Sequence, residues 1–319
     1  MGAHEDRIKA MEFDHPEFIP IGVGLLPATW ISYREKLEEI ISRHPIIFGE
    51  YAKGSRDFDA VSGLYVEGEQ TDAWGCQWKN IRKGCDAMCV GHPIPTREAV
   101  HTYKPPAPGA GLPHGFMYMR LFYLRGFEEV MVDFAEEPPE LQMLIDMVCE
   151  YNCGEVRKMC ENKLPKIVGF GDDLGMQHAL PISPAKWHKY LTPCFKKIYG
   201  IVHAAGSSVY MHTDGCIIPI ISELIECGVN VVNPQIRANG LDNLARECRG
   251  KVCVNLDLDR QMFPFCKPED IDGHIREAVE KLSLPEGGLW ISAECGPDVP
   301  LETIEAICVA LEKYRAYYR

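Results

Sequence analysis

Polar side chains that can perform catalysis or bind metal recur at the ends of short apolar segments in the second half of the sequence. These residues are Asp172, Asp173, His212, Asp214, Cys216, Asn233, Gln235, Asp257, Asp259, Glu294 and Cys295. Carboxylates, imidazoles and thiolates are the ligands that zinc takes in proteins, and carboxyl and imidazole groups also act as general acids and bases. The residue types therefore predict an acidic, thiol-rich site.

His212 lies in the sequence HTDGC, after an apolar segment and before a helix-like one. At the end of a barrel strand, a histidine points into the mouth, where it can bind a metal or transfer a proton. With Asp214 and Cys295 it forms a nitrogen, oxygen and sulfur set that suits zinc and leaves one position for substrate. The alternatives are a histidine that only orients a loop and a Cys216 that is a small residue in the first turn of a helix.

The sequence GDDLG at residues 171–175 has two interpretations. In the first, Asp172 or Asp173 faces the mouth and binds substrate or acts as a general acid. In the second, one carboxylate accepts hydrogen bonds from backbone N–H groups and stabilises a turn. Both interpretations can hold, one residue for each.

Five residues are candidates for substrate binding. Asn233, Gln235 and Asp257 follow predicted strands, and alternation along VCVNLDL places Asp257 on its polar face. Trp74 and Trp78, in DAWGCQW, would form an aromatic wall for a flat substrate. The alternative for the two tryptophans is an ordinary hydrophobic cluster.

The elements that must position these residues alternate regularly from about residue 165. Short segments rich in β-branched residues alternate with amphipathic ones, which is typical of parallel strands joined by crossover helices. The predicted strands are 166–171, 207–211, 229–233, 252–258 and 289–293, and the predicted helices are 183–205, 217–227, 241–248, 268–282 and 300–317. Ser183-Pro184 is a helix start, and Gly206, Gly228 and Gly250 stand where helices end.

The first half is less regular. Residues 18–25 predict a first strand, residues 136–162 a long helix, and residues 71–113 a β insertion followed by a Pro- and Gly-rich loop from residue 104. A doubly wound sheet would carry a Gly-rich phosphate loop after its first strand, and GFGDDLG has the wrong spacing and comes at mid-chain. We therefore predict an α/β fold, a (β/α)8 TIM barrel with a small β insertion, as a single domain over residues 1–319.

The composition excludes several classes of partner. The chain has 319 residues, with 33 Lys and Arg against 46 Asp and Glu, a formal net charge of −13. Nucleic acid and anionic membranes attract clustered basic residues, so we expect neither as a partner. No apolar run is long enough to span a membrane, and the charged N-terminus lacks a secretory signal. Fourteen cysteines without a Cys-x-x-Cys pair indicate reduced thiols. We expect a cytoplasmic protein of a reducing, anaerobic cell.

The chain resembles the uroporphyrinogen decarboxylase superfamily over roughly residues 115–319. The similarity lies in GFGDDLGMQ, SPAKWHKYLTPCFKKI, VYMHTDGCIIPIISELIECGVNVVNPQ and PDVPLETI, and residues 72–95 resemble the methyltransferase-like branches. Decarboxylating members carry an N-terminal R-Q-A-G-R-Y segment that binds substrate carboxylates, and Gly22–Arg34 has no such motif. A substrate with eight carboxylates also fits a chain of net charge −13 poorly. Uroporphyrinogen decarboxylation is therefore not expected.

The resemblance implies a corrinoid-dependent methyltransferase of the O-demethylase type. Members that methylate a thiol bind zinc through His-x-Cys and a later cysteine. Here His212 and Cys295 match, Asp214 replaces the first cysteine, and Glu294 is a further candidate ligand. An oxygen ligand makes zinc a harder Lewis acid, which suits polarising an ether oxygen. Asp172 or Asp173 would then position substrate or donate a proton.

The implied partners are a corrinoid (cobalamin) protein, whose Co(I) accepts the methyl group, and a small methoxylated, aromatic substrate. Zinc is the expected metal, and a homodimer is the expected assembly because dimers are common in the superfamily. Two alternatives remain: a methylcobalamin:thiol methyltransferase, and a non-catalytic barrel that binds a corrinoid or another tetrapyrrole. The identity of the methyl donor depends on pocket shape, which the sequence does not show.

Overall fold

The computed structural model describes residues 3–109, 111–162 and 164–317. The strands are β1 Ile21–Leu25, β2 Gly68–Thr71, β3 Gln77–Asn80, β4 Met88–Gly91, β5 Ile167–Gly171, β6 Ser208–Thr213, β7 Val231–Pro234, β8 Cys253–Asp257 and β9 Leu289–Cys295. The helices are α1 Ala3–Glu12, α2 Pro27–Tyr33, α3 Glu35–Arg43, α4 Pro45–Phe48, α5 Tyr118–Arg125, α6 Phe127–Glu136, α7 Pro139–Glu161, α8 Pro184–Tyr190, α9 Thr192–Ala204, α10 Ile221–Glu226, α11 Ile236–Asn239, α12 Leu241–Cys248, α13 Pro268–Leu282 and α14 Leu301–Tyr314. None of these helices has the length and apolarity needed to cross a membrane.

The alternation predicted for the second half is confirmed. All five predicted strands and the first strand at residues 18–25 coincide with β1 and β5–β9, and the long helix predicted at residues 136–162 is α7. The Ser183 side chain accepts a hydrogen bond from the backbone N–H of Lys186 at 3.3 Å, as an N-cap does. Gly206 ends its helix with φ of 80°, a conformation that glycine adopts at no steric cost.

Two predicted helices are interrupted by proline. The segment 183–205 forms α8 and α9 with a break at Leu191, just before Thr192-Pro193. The segment 217–227 begins as a 3-10 turn at Ile218–Ile220, which contains Pro219, and becomes α-helical in α10. Proline lacks a backbone N–H and disfavours helical geometry in the residue before it, so the helix is interrupted close to each proline.

The predicted β insertion is an antiparallel sheet of order β2-β3-β4. Trp78 of β3 is the register partner of Cys89 in β4, and a bulge separates Gln77 from Trp78. The described residues of the Pro- and Gly-rich segment 104–113 form no helix or strand; residue 110 lies outside the described residues. Three short strands with turns between them therefore account for the irregular pattern of this region.

The fold class is α/β with a parallel sheet of six strands, and a full eight-stranded barrel is not present among the described residues. The prediction counted on two further βα units in the first half. Between β1 and β5 the chain instead forms α2–α7 and the antiparallel sheet. Chain length alone could not distinguish these outcomes, because helices and an insertion consume as many residues as two βα units would.

The chain divides into two compact units by its internal contacts. The terminal unit comprises Met1–Gly68, Asn80–Ala87 and Gln235–Arg319, and the central unit comprises Glu69–Lys79 and Met88–Pro234. In the terminal unit the parallel order is β1-β9-β8, with Ile21 opposite Ile291 and Val254 opposite Leu289. In the central unit it is β5-β6-β7, with Gly171 opposite His212.

An aromatic cluster forms the core of the central unit beneath the ends of β5 and β6. Phe116 packs against Phe170 and Phe195, with ring centroids 5.1 and 5.6 Å apart, and Phe170 packs edge-on against Tyr199 at 5.0 Å. Trp187, Phe195 and Tyr199 are almost completely buried. Because Phe170 immediately precedes the end of β5, this packing holds the strand end and the polar residues that follow it.

Candidate functional site

Strand alternation in β6 places His212 on the opposite face from the core. Val209, Met211 and Thr213 are buried, whereas Tyr210 and His212 are only partly buried. Successive side chains of a strand point to opposite faces, so a buried residue on either side of His212 directs the imidazole away from the core. The position at the carboxyl end of a parallel strand is where α/β proteins bind ligands.

Asn233 holds the His212 ring in a fixed orientation. His212 Nδ1 lies 2.7 Å from Asn233 Oδ1, and the two residues are register partners in β6 and β7. The amide oxygen is an acceptor, so the neutral imidazole carries its proton on Nδ1 and presents the lone pair of Nε2. Asn233, predicted as a substrate-binding residue, thus contacts His212 directly.

Three residues bring potential metal ligands together, namely His114, Asp173 and His212. Asp173 Oδ1 lies 3.2 Å from His114 Nε2 and 3.9 Å from His212 Nε2, and the ligand atoms of the three residues lie within 4.8 Å of one another. Asp214 Oδ1 is 3.5 Å from His212 Nε2, and the Asp214 backbone N–H donates to Asp173 Oδ1 at 3.2 Å. Elsewhere in the described part of the chain, no three His, Cys, Asp or Glu side chains come together this closely.

His114 was missed in the sequence because it lies outside the strand-helix alternation. It follows the Pro- and Gly-rich loop and precedes α5, in the sequence LPHGF. The following Gly115 has φ of 73° and donates its N–H to the carbonyl of Gly171 at 2.8 Å, which joins this segment to the end of β5. A histidine next to a glycine that leaves such a loop was the available signal, and it is a weak one.

Charge interactions shift the pKa values of His114 and Asp173 in opposite directions. The hydrogen bond with Asp173 raises the pKa of His114, against the lowering effect of burial. For Asp173, burial acts to raise the pKa, but the hydrogen bond and charge of His114 and the charge of His212 outweigh it, and the pKa is lowered. The two shifts have the same cause, because an imidazolium and a carboxylate in contact each stabilise the charged form of the other.

Asp172 anchors the start of α5 and is fully buried. Its carboxylate accepts hydrogen bonds from the backbone N–H groups of Met117, Tyr118 and Met119 at 3.2, 2.5 and 2.9 Å. Burial raises the pKa of Asp172 to about 7, although the helix N–H donors act to lower it. The two interpretations of GDDLG thus divide as the sequence allowed: Asp172 caps backbone groups, and Asp173 lies beside the histidines.

Two glycines let the loops after β5 and β6 approach each other. A Cβ on Gly215 would lie 2.2 Å from the carbonyl carbon of Gly175, and a Cβ on Gly175 would lie 2.5 Å from the backbone nitrogen of Cys216. The Cys216 N–H donates to the carbonyl of Met176 at 2.7 Å. This contact brings the loop that carries Asp173 against the loop that carries Asp214.

In the terminal unit, arginines neutralise the strand-end carboxylates. Arg260 Nη1 lies 2.5 Å from Glu294 Oε1, and its Nε is 3.8 Å from Asp257 Oδ2. Arg237 Nε contacts both carboxylate oxygens of Asp259 at 2.7 and 2.9 Å. Arg237 and Arg260 also line an open cavity of about 710 Å³ in this unit. Gln235 forms an isolated parallel bridge with Asp257.

Cys295 is completely buried at the end of β9. Burial, and then the charge of Glu294, raises the pKa of its thiol to about 12. Along β9, Ala293 and Cys295 are buried while Ser292 and Glu294 are partly exposed, so the thiol lies on the opposite face of the strand from Glu294. Burial, and then the neighbouring Cys295, also raises the pKa of Cys308 in α14.

Trp74 and Trp78 are both buried in the central unit, each about 6% exposed. Trp78 Nε1 donates to Asp72 Oδ2 at 3.1 Å, and the Trp74 ring packs edge-on against Tyr151 at 4.4 Å. The Arg120 guanidinium stacks over Trp74 at 5.2 Å. The two tryptophans therefore belong to a packed cluster. Their role as an aromatic wall for substrate stays a prediction.

The predicted zinc set of His212, Asp214, Glu294 and Cys295 stays a prediction. The central unit brings His212 and Asp214 together, and Glu294 and Cys295 belong to the terminal unit. The groups that the central unit does assemble are two imidazoles and carboxylates from three different segments. Such a group can bind a divalent metal, transfer a proton or orient a polar substrate.

The fold is α/β, and a cluster of polar side chains lies near the carboxyl ends of its parallel strands. Residues 118–314, more than half of the chain, match the family described as Uroporphyrinogen decarboxylase (URO-D). The chain therefore belongs to the URO-D family, as its sequence motifs indicated. No curated protein matches the sequence.

Solved structures provide a fold comparison. A methyltransferase from Methanosarcina mazei superposes with a TM-score of 0.65 at 17% identity, over 98% of this chain and 99% of that one. A B12-independent methionine synthase from Shewanella sp. W3-18-1 gives a TM-score of 0.43 at 10% identity, over 80% of this chain and 74% of that one. The first similarity shows that this chain shares the fold of a methyltransferase.

Proposed function

We propose that this chain is a methyltransferase that moves a methyl group from a methoxylated, aromatic substrate to Co(I) of a corrinoid on a separate protein. The observation that carries the proposal is the cluster of His114, Asp173 and His212 at the carboxyl ends of β5 and β6 in a member of the URO-D family. The methyltransferase fold of the Methanosarcina mazei protein supports the same class of reaction.

The reaction needs activation at the leaving oxygen. Co(I) attacks the methyl carbon, the C–O bond breaks with its electron pair moving to oxygen, and cobalt is oxidised to Co(III). A phenol has a pKa of about 10, so phenolate leaves poorly unless a cation binds the oxygen or an acid protonates it. Zinc, when bound, supplies a Lewis acid for this purpose.

The residues around His212 fit that requirement. The Asn233 contact turns the lone pair of His212 Nε2 towards Asp173 and Asp214, and imidazole and carboxylate donors suit zinc. Asp172 lies beneath this group and holds the first N–H groups of α5. It is a positioning residue, because its buried oxygens are engaged with backbone N–H groups.

Uroporphyrinogen decarboxylation is not proposed, although the chain belongs to that family. The decarboxylation substrate carries eight carboxylates and needs unneutralised cationic groups. Arg237 and Arg260, at the strand ends of the terminal unit, are both engaged with carboxylates of the chain. The net charge of −13 further opposes such a substrate.

The test is an anaerobic reaction of the zinc-supplied protein with Co(I) corrinoid and a panel of methoxybenzenes, methylamines and methylthiols. Loss of the Co(I) absorbance with one methoxybenzene, together with release of the matching phenol, is the expected result. Reaction only between methylcobalamin and an added thiol would establish the thiol methyltransferase instead. Tight corrinoid binding without turnover for any donor would support the non-catalytic alternative and contradict the proposal.

A further inference from the structure

We infer that His114, Asp173 and His212 form the protein part of a divalent-metal site, with zinc as the preferred ion. This inference names the metal centre of the activity proposed above and rests on it only for the catalytic role of the ion. It differs from the set predicted at the strand ends, because His114 and Asp173 take the place of Asp214, Glu294 and Cys295 as ligands beside His212.

The spacing of the three ligand atoms suits a metal of this size. Tetrahedral zinc with bonds of about 2.0–2.1 Å holds neighbouring ligand atoms about 3.3 Å apart. Asp173 Oδ1 lies 3.2 Å from His114 Nε2 and 3.9 Å from His212 Nε2, and the three ligand atoms all lie within 4.8 Å of one another, so small side-chain movements would bring them to this spacing.

The surroundings of the cluster hold its members as metal sites require. Asn233 accepts the Nδ1 proton of His212 and leaves Nε2 for the ion, which is the usual outer-shell arrangement for a ligating histidine. Gly115 N–H bonds to the carbonyl of Gly171, which fixes His114 next to the strand end that bears Asp173. Three segments distant in sequence thus present one ligand each.

Partial exposure leaves room for a substrate at the ion. The side chains of His114, Asp173 and His212 are 48%, 28% and 30% exposed. Catalytic zinc sites use three protein ligands and keep the fourth position for water or substrate. Asp214 Oδ1 lies 3.5 Å from His212 Nε2, next to the proposed site but outside the group of three ligand atoms.

The distinguishing chemical feature is the absence of sulfur from the proposed ligand set. Cys295 is completely buried, and burial raises the pKa of its thiol to about 12, which disfavours the thiolate that binds zinc. Cobalt(II) bound to nitrogen and oxygen ligands alone shows d–d bands in the visible region and no sulfur-to-cobalt charge-transfer band. A cysteine ligand would add a strong sulfur-to-cobalt charge-transfer band in the near ultraviolet. The Co²⁺ spectrum therefore reports the ligand set without any measurement of activity.

The experiment titrates the full chain, stripped of metal by a chelator, with Zn²⁺ and Co²⁺ by calorimetry and absorbance. We expect one site per chain and no sulfur band. His114→Ala and Asp173→Asn should each weaken zinc binding by more than about 100-fold, beyond the roughly 10–100-fold cost of losing an outer-shell partner. His178→Ala, an exposed histidine of the loop after β5, is the matched control and should bind zinc normally.

Further variants at Cys295 and Asn233 distinguish the proposed ligand set from the set predicted at the strand ends. Cys295→Ser should keep its zinc, whereas the strand-end set requires its loss. Asn233→Leu should weaken zinc binding about 10–100-fold, and Asn233→Asp, which keeps an acceptor for His212 Nδ1, should restore it. Circular dichroism of each variant distinguishes loss of a ligand from loss of the fold.

The result that overturns the inference is a chain that binds no zinc, or one whose zinc depends on Cys295 and not on His114. Failure of the proposed function has a different signature. Zinc bound by the His114 set without methyl transfer from any donor leaves the site intact and contradicts the function. Methyl transfer that persists in fully zinc-free protein supports the function and contradicts the metal site.

Discussion

The central and terminal units both place carboxylates at the ends of parallel strands, but they pair them with different cations. In the central unit Asp173 contacts His114 and lies near His212. In the terminal unit Asp259 and Glu294 contact Arg237 and Arg260. Arginine stays charged at any physiological pH and has no lone pair to offer a metal, whereas neutral histidine does. Carboxylates near strand ends thus differ in chemistry between the two units because their cationic partners differ.

The largest expected effect of this difference is on activity. His212→Ala removes the imidazole around which the central cluster is built, and methyl transfer to Co(I) should fall by about 10²–10⁴-fold. His178 is an exposed residue of the loop after β5 and lies outside the cluster, so His178→Ala should retain the wild-type rate. The decay of the Co(I) absorbance measures both. A His212→Ala enzyme with normal turnover would remove the basis for assigning chemistry to the central unit.

Stability should also separate the two units. Asp172→Ala leaves three helix N–H groups without their acceptor, and each unsatisfied buried donor costs about 1–3 kcal/mol, so we expect a loss of at least about 3 kcal/mol. Asp259→Ala leaves a half-exposed Arg237 that water can solvate, and about 1 kcal/mol should be lost. Urea unfolding gives both values. Equal losses in the free energy of unfolding would mean that the buried hydrogen bonds of Asp172 contribute no more to stability than the exposed ion pair of Asp259.

Cysteine reactivity provides a third comparison, between Cys89 of the central unit and Cys295 of the terminal unit. The hydrogen bond from Cys76 lowers the pKa of Cys89 to about 7, against the effect of burial, whereas burial raises that of Cys295 to about 12. The thiolate is the reactive form, so alkylation of Cys89 should increase as pH rises through 7 and level off above about 8.

Replacing Cys76 tests the cause of this reactivity. Cys76→Ala removes the hydrogen bond and should reduce the alkylation of Cys89 at pH 7 by about tenfold, because the pKa returns towards about 8.5. Peptide mass spectrometry after iodoacetamide treatment measures the rate at each cysteine, and Cys295 should remain unmodified in the folded protein. Unchanged labelling of Cys89 in the variant would show that Cys76 does not set its pKa.

The smallest expected effect concerns Arg260. Arg260→Ala removes the partner of the partly exposed Glu294, and the free energy of unfolding should decrease by about 1 kcal/mol. Salt screens such pairs, so the difference from wild type should shrink in 1 M NaCl. Parallel urea titrations at low and high salt make the measurement. A loss that is large and insensitive to salt would indicate packing by the arginine stem instead of charge pairing.

Regular repetition explains which parts of the fold were predictable. The strands β5–β9 are short, apolar and bounded by glycine or proline, so local composition was enough to locate them. The first half lacks that repetition, and a count of residues could not show that α2–α7 and β2–β4 replace two further βα units. The breaks at Pro193 and Pro219 carried a local signal, namely the proline itself.

The candidate site was predictable in part, for a related reason. Asp173 and His212 were found because each lies within two residues of the end of a strand, and the carboxyl ends of parallel strands are predictable places for a site. His114 has no such position in the sequence, since a loop delivers it. For Cys295, alternation in β9 decides the direction of the thiol, and a shift of one residue in the strand reverses that direction.

The sequence by itself determined the strand order along the chain, the membership of the URO-D family and the segments that bear polar residues. These properties depend on local composition and on the order of motifs, both of which can be recognised in the sequence alone. Only the tertiary structure decided that His114 lies beside Asp173, that Asn233 orients His212, and that Arg237 and Arg260 neutralise the other strand ends. Those contacts join residues far apart in the chain, and hydrogen bonding and charge pairing act over a few ångströms in space whatever the separation in sequence.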